Sequence, residues 1–170
     1  YRCGYADTNI AEGKKWQLTC YPADFSVPES FVGKVMYQIF PDRFYREHTE
    51  DAADKLTPFY IHECTDDVPD YLPNDKGEIL NCDFFGGNLK GIIKKLDYIK
   101  SLSVSVIYLN PIFMAYSNHR YDTCNYKRID PLLGSEEDFV HLCGEAHKRD
   151  IKIILDGVFS HTGADSIYFN

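Results

Sequence analysis

Residues Ile151 to Gly163 read IKIILDGVFSHTG, an apolar run that meets Asp156 at its end and is followed by His161 and two glycines. A run such as IKIIL suits a strand covered on both faces. A carboxylate at its exit has to be compensated by hydrogen bonds or a cation to stay charged. Two earlier stretches have the same form. VGKVMYQIF exits into PDRF, and VSVIYLNPIF is ended as a strand by Pro111.

Helical signals fill the spaces between. After Asn88, the residues Leu89, Ile92, Ile93, Leu96 and Ile99 repeat at i, i+3, i+4, i+7, with Lys90, Lys94 and Lys95 opposite. Ser135 precedes Glu136, Glu137 and Asp138, an N-cap with acids in the first turn, and Phe139, Val140, Leu142, Cys143 and Ala146 supply an apolar face. Lys148 and Arg149 close that helix. Strand, loop, helix, repeated, predicts a parallel sheet with covering helices, an α/β fold.

The long connections follow strands and the short ones follow helices. Pro41–Phe85 is polar, acidic and without period, and SNHRYDTCNYKRIDPLLG is a second polar loop. Sites in α/β folds gather at strand C-termini. The three exits, QIFPDRF, LNPIFMAYSNHRYDT and DGVFSHTG, present Asp42, Arg43, Asn110, His119, Tyr121, Asp122, Asp156 and His161. Singly, each has a simple reading: Asp42 and Arg43 as a surface pair, Asp122 as a turn former, His161 as a cap. Sharing one rim, they predict a site.

Composition limits the partners. The 170 residues carry 18 Lys and Arg against 26 Asp and Glu, a net charge of -8, which argues against nucleic acid. No apolar run approaches the roughly 18 residues of a membrane-spanning helix, so no membrane partner is expected. The six cysteines form no C-x-x-C pair; they read as free thiols, which leans towards the cytoplasm. A phosphohydrolase built on Asp156 and His161 lacks a second ligand cluster. Residues 1–24 include KKWQLTCY, which alternates like a strand and predicts the end of an upstream β domain; 25–31 read as a linker. The chain begins with Tyr1, so its N-terminus and any signal peptide are expected upstream.

Five stretches in order, VMYQIFPDRF, FFGGNLKGIIKKLDYIKSL, VIYLNPIF, HRYDTCNYKRIDPLLG and DGVFSHTG, resemble glycoside hydrolase family 13, the α-amylase superfamily, in its neopullulanase and cyclomaltodextrinase-like branch. The resemblance implies the first three β/α units of a (β/α)8 TIM barrel over residues 32–163. A β-sandwich would end at residue 24, and residues 164–170 would begin an inserted domain. His161 resembles the histidine that bonds a sugar hydroxyl at the cleavage subsite, Asp156 the aspartate bracing the floor, and Tyr121 the aromatic stacking on that sugar. Asn110, His119 and Asp122 become rim or supporting residues.

The same resemblance implies α-glucan substrates (maltooligosaccharides, cyclodextrins, pullulan) cut with retention at α-1,4 bonds, with α-1,6 left open, and a parent protein that dimerises through its N-terminal domain. The nucleophile and acid are expected beyond Asn170, so no catalytic residue is expected in this chain and these residues alone are expected to hydrolyse nothing. No cofactor is required. Calcium stays open around Gly86 and Asn88, because Asn88 stands where the branch has aspartate, Ser160 stands where an asparagine often serves, and YREHTEDAAD replaces an Asn/Asp-rich loop. A transglycosylase or isomerase of the same family and a non-catalytic glycan- or partner-binding domain are the alternatives.

Overall fold

The computed structural model describes residues 18–169. Half of the expected strand in KKWQLTCY lies outside them, and Leu18–Tyr21 is irregular. In chain order the elements are β1 (Val35–Ile39), β2 (Tyr60–Ile61), β3 (Asp83–Phe84), α1 (Leu89–Ser101), β4 (Val104–Leu109), β5 (Phe113–Ala115), β6 (Thr123–Ile129), α2 (Glu136–His147) and β7 (Lys152–Leu155). The main sheet has the order β1-β4-β7, parallel throughout.

Register sorts the side chains into two faces. Tyr37, Ile107 and Ile153 lie abreast, as do Ile39, Leu109 and Leu155, and all six belong to the core built with both helices. The alternate rows, Met36, Val106 and Lys152, then Gln38, Tyr108 and Ile154, occupy the opposite face by the two-residue period of a strand. Full burial on both faces does not hold for β1, where Val35 and Met36 are half exposed, or for β7, where Lys152 is exposed and Ile153, Ile154 and Leu155 are only partly buried. Both are outer strands of the three, and the two helices cover one side only.

Local chemistry explains the helices. Asn88 caps α1, its Oδ1 accepting from Gly91 N at 2.8 Å, and Leu89, Ile92, Leu96 and Ile99 are fully buried. Ser135 and Asp138 form the capping box of α2, whose buried residues are Leu142 and Ala146. Phe139 packs against the core but Val140 is 64% exposed, so it does not belong to the buried face expected of it. Val140 is two residues from Leu142, which places it well round the helix from the buried stripe.

The two polar connections are more ordered than their composition predicts. Pro41–Phe85 folds back so that β2 pairs with β3 in parallel, and the second loop contributes β6 to an antiparallel hairpin with β5, which directly precedes it. Both are pinned by a buried charge cluster. Lys55 Nζ donates to Asp130 Oδ2 at 2.6 Å and to Ala115 O at 2.7 Å, and Arg120 Nη2 donates to Asp130 Oδ1 at 3.2 Å. All three side chains are completely buried around Phe84, whose ring lies 4.6 Å from Lys55 Nζ.

Burial alone would raise the Asp130 carboxyl, but Arg120 and Lys55 outweigh it and hold it below its ordinary range. Burial pushes the Lys55 ammonium down, with Asp130 opposing. A depressed carboxyl contributes stability that is complete above its ordinary value, about 4, and lost as pH falls through its folded value. Asp130→Asn leaves two buried cations facing a neutral amide and is expected to cost roughly 3–5 kcal/mol. Urea unfolding of the intact protein should show that loss at neutral pH and a narrowing gap from wild type in acid; a variant as stable as wild type at neutral pH removes the cluster as an anchor.

Candidate functional site

Parallel pairing brings the ends of β1, β4 and β7 to one rim. Asn110 N donates to Ile39 O at 2.9 Å and Asp156 N to Leu109 O at 3.0 Å, so the sheet ladder runs one residue past each strand and fixes both backbones. Their side chains join a continuous chain. Gln38 Nε2 donates to Asn110 Oδ1 (2.9 Å), Asn110 Nδ2 to the Tyr121 hydroxyl (3.2 Å), and Tyr121 to Asp156 Oδ2 (2.7 Å). Met36, Gln38, Tyr108, Tyr121 and Asp156 line an open pocket of about 450 Å³.

The electrostatics follow from the carboxylate. Hydrogen bonding to Asp156, then burial, pushes the Tyr121 phenol up to about 12. The Tyr108 phenol is pushed up first by burial and then by Asp156. Tyr121 therefore stays a neutral hydroxyl that donates to Asp156 at any physiological pH.

Tyr121 is held by the loop before it. Asp122 Oδ2 accepts from Ser117 N at 3.1 Å, Asp122 Oδ1 accepts from Ser117 Oγ, and His119 Nδ1 accepts from Tyr121 N at 3.1 Å. Burial lowers the His119 ring, in keeping with a neutral imidazole whose Nδ1 is an acceptor. His119 and Asp122 thus shape the loop that presents Tyr121.

His161 stands apart. Its ring is exposed and bonds Ser160 Oγ through Nδ1 at 3.0 Å, while its carbonyl accepts from Tyr126 at 2.9 Å. The structure therefore brings Asn110, Tyr121 and Asp156 together, with His119 and Asp122 beneath them, and leaves His161 on the rim.

Two participants escaped the sequence reading. Gln38 and Tyr108 sit on strands, and the signal was their position: one register row, two residues before the strand exits. Asp42 is not a surface pair with Arg43. It is buried, accepting from Phe85 N and Gly86 N at 3.1–3.2 Å and from Arg43 Nε at 2.7 Å. It ties the strand exit to the glycine turn, where a side chain at Gly87 would strike the Pro41 carbonyl.

The Asn88 amide is engaged at both ends. With Oδ1 committed to Gly91 N, its Nδ2 faces the loop and donates to His48 O (2.9 Å) and Glu50 Oε1 (3.2 Å). Glu50 also pairs with His48 and Lys90. Calcium takes oxygen ligands, and the oxygens at this position, Asn88 Oδ1, His48 O and Glu50 Oε1, are engaged by N–H groups and cations. Gly86, in the same turn, has φ +74°, and its N–H donates to Asp42. No group of three or more His, Cys, Asp or Glu is arranged to hold a metal among the described residues.

Known proteins resemble this chain in sequence and in fold. The profile of the α-amylase catalytic domain matches residues 38–170. An amylopullulanase of Thermoanaerobacter thermohydrosulfuricus is 48% identical over 98% of this chain and 12% of its own length, and neopullulanase 2 of Thermoactinomyces vulgaris is 39% identical over 82% of this chain and 21% of its own. Among solved structures, the cyclic α-maltosyl-(1→6)-maltose hydrolase of Arthrobacter globiformis superposes with a TM-score of 0.65 at 36% identity, covering 84% of this chain and 29% of that one. The type III pullulan hydrolase of Thermococcus kodakarensis gives 0.62 at 38%, covering 78% and 24%.

The chain belongs to the α-amylase family of glycoside hydrolases, whose catalytic domain is a TIM barrel. Within that family it falls in the neopullulanase-like branch. It spans about an eighth of the length of the amylopullulanases it matches.

Asp156→Asn removes the charge that holds the Tyr121 proton. Ultraviolet difference titration against the same variant carrying Tyr121→Phe should place the phenol back near its ordinary value of about 10. A midpoint still near 12 would mean that Asp156 is not the cause.

Proposed function

We propose that the chain is the N-terminal part of a retaining α-glucan hydrolase, in which β1, β4 and β7 with α1 and α2 are the first three β/α units of the (β/α)8 barrel. Residues 1–24 then close a preceding β-sandwich, 25–31 link it to the barrel, and 164–170 open an inserted domain. The observation that carries the reading is the Asn110–Tyr121–Asp156 chain at the C-terminal rim of a parallel sheet, where barrels build their sites.

The chemistry suits a sugar. A tyrosine ring covers the apolar C–H face of a pyranose while neighbouring polar groups bond its hydroxyls. Here the Tyr121 hydroxyl is tethered to Asp156, which fixes the ring's edge and leaves its face for stacking. Asp156 accepts from Tyr121 on Oδ2 and borders the open pocket. A floor carboxylate of this kind favours a partner rich in hydroxyl donors. His161, exposed beside the same strand exit, would complete the subsite by bonding a hydroxyl once sugar is present.

Retaining hydrolysis requires a nucleophile and an acid carboxyl about 5 Å apart. We assign them to strands beyond Asn170 and give this chain the task of seating the sugar. Maltooligosaccharides, cyclodextrins and pullulan are the proposed substrates.

The full-length protein should release reducing sugar from at least one of these glucans, while residues 1–170 alone release none. In the full-length protein, His161→Ala should lower kcat/KM by roughly one to three orders of magnitude, and Tyr121→Ala by about one to two with a rise in KM. Silence of the intact protein on all three substrates, with glycan binding retained, would favour a non-catalytic binding domain. Disaccharide transfer products in place of free sugar would favour a transglycosylase.

A further inference from the structure

His161 sits on a loop that is tied to the rest of the chain at few points. Its entry is fixed where Asp156 N donates to Leu109 O at 3.0 Å, and its end where Gly163 N donates to Thr123 O at 3.0 Å. At Gly163 the loop presses so closely on the start of β6 that a side-chain carbon would stand 2.5 Å from Asp122 O. Of the six residues between these anchors, 157–162, only Val158 is buried. Among the described residues, two of their backbone groups are hydrogen-bonded, the carbonyls of Val158 and His161. Both face the Tyr126 hydroxyl, which lies 2.9 Å from His161 O and has one proton to share between the two oxygens.

Tyr126 is itself anchored. It belongs to β6, its N donates to the Tyr168 hydroxyl at 3.2 Å, and its ring stacks on that of Tyr168 with centroids 5.6 Å apart. The rings of Phe159 and Phe113 lie 5.7 and 6.2 Å away. We infer that Tyr126 is a positioning residue for His161: by bridging the carbonyls of Val158 and His161 it holds the loop against β6 and so sets where the imidazole meets a sugar hydroxyl. The inference rests on the sugar-contacting role proposed for His161. The ring stays free to turn, but the backbone it turns from is held at the carbonyl next to it. A displacement of about 1 Å at a contacting group is enough to weaken a reaction step. Tyr126 does not border the pocket of Tyr121 and Asp156, so the loop is its route to the sugar.

The test uses the full-length protein with Tyr126→Phe, which removes the hydroxyl and keeps the ring among Phe113, Phe159 and Tyr168. The variant is measured alone and combined with His161→Ala. On maltooligosaccharides, Tyr126→Phe should lower kcat/KM about fivefold, in whichever of kcat and KM His161→Ala also changes. In the His161→Ala background its further loss should stay under about twofold, because the ring whose place it sets is gone. The second readout needs no substrate. Hydrogen exchange over residues 157–163 should quicken about threefold or more in Tyr126→Phe, with α1 and α2 unchanged.

Equal fold-losses with and without His161→Ala would overturn the inference, because Tyr126 would then act independently of the histidine. An unchanged kcat/KM in Tyr126→Phe, or exchange over residues 157–163 at the wild-type rate, would overturn it as well. If the wild-type protein cleaves no glucan, the functional reading falls separately, and hydrogen exchange alone decides whether Tyr126 holds the loop.

Discussion

The arrangement depends on β4 lying between β1 and β7 with all three strands parallel. Parallel pairing makes each exit emerge on the same rim, so residues 38, 110 and 156, distant in sequence, become members of one hydrogen-bonded chain. Antiparallel order would send alternate exits to opposite ends. The helices make this order possible, because crossovers of this length need a covering element, and α1 and α2 bury their apolar stripes on one face only. The opposite face, with Gln38 and Tyr108, remains available for polar chemistry.

A rim of long loops is useful only if the loops are held. Here buried charges hold them. The Lys55–Asp130–Arg120 cluster joins the first connection to the hairpin. Asp83, also buried, accepts from Asn118 Nδ2 at 2.8 Å and pairs with His62 and Arg43. Such clusters are weak evidence of net stability, since desolvation offsets much of the attraction. Their value is geometric, because an unpaired charge in this interior is so unfavourable that few alternative loop conformations survive. Tyr121 directly follows Arg120, and the placement of its ring is thus tied to a side chain with no exposed surface.

What the sequence made legible follows from the range of the forces involved. Both helices and all three main strands are readable, because caps and apolar periods act over a few residues: Asn88, Ser135 and the IKIIL run are local signals. Asn110, Tyr121 and Asp156 were legible as a group through their shared position at strand exits. The hairpin was not, since β6 (TCNYKRI) follows no apolar alternation and its Arg128 finds its partner, Asp54, in the other connection. The burial of Lys55 and Asp130 was equally hidden, because it depends on partners 10 to 75 residues away. Val140 failed in the opposite sense, an apolar residue near a helical stripe that the register leaves outside.

The same distinction separates His161 from the other site residues. Asn110, Tyr121 and Asp156 each have their orientation fixed by another residue of this chain, and they are in place before any ligand arrives. The ring of His161 has only Ser160, its immediate neighbour, to hold it among the described residues. A site with a rigid floor and a freer histidine at its edge places most of its preorganisation under the ring face of the sugar. On the proposed reading, the histidine gains its defining contact from the sugar itself. Discrimination in such a site begins with the shape and stacking of the pyranose on Tyr121 and is completed by hydroxyl contacts at the rim.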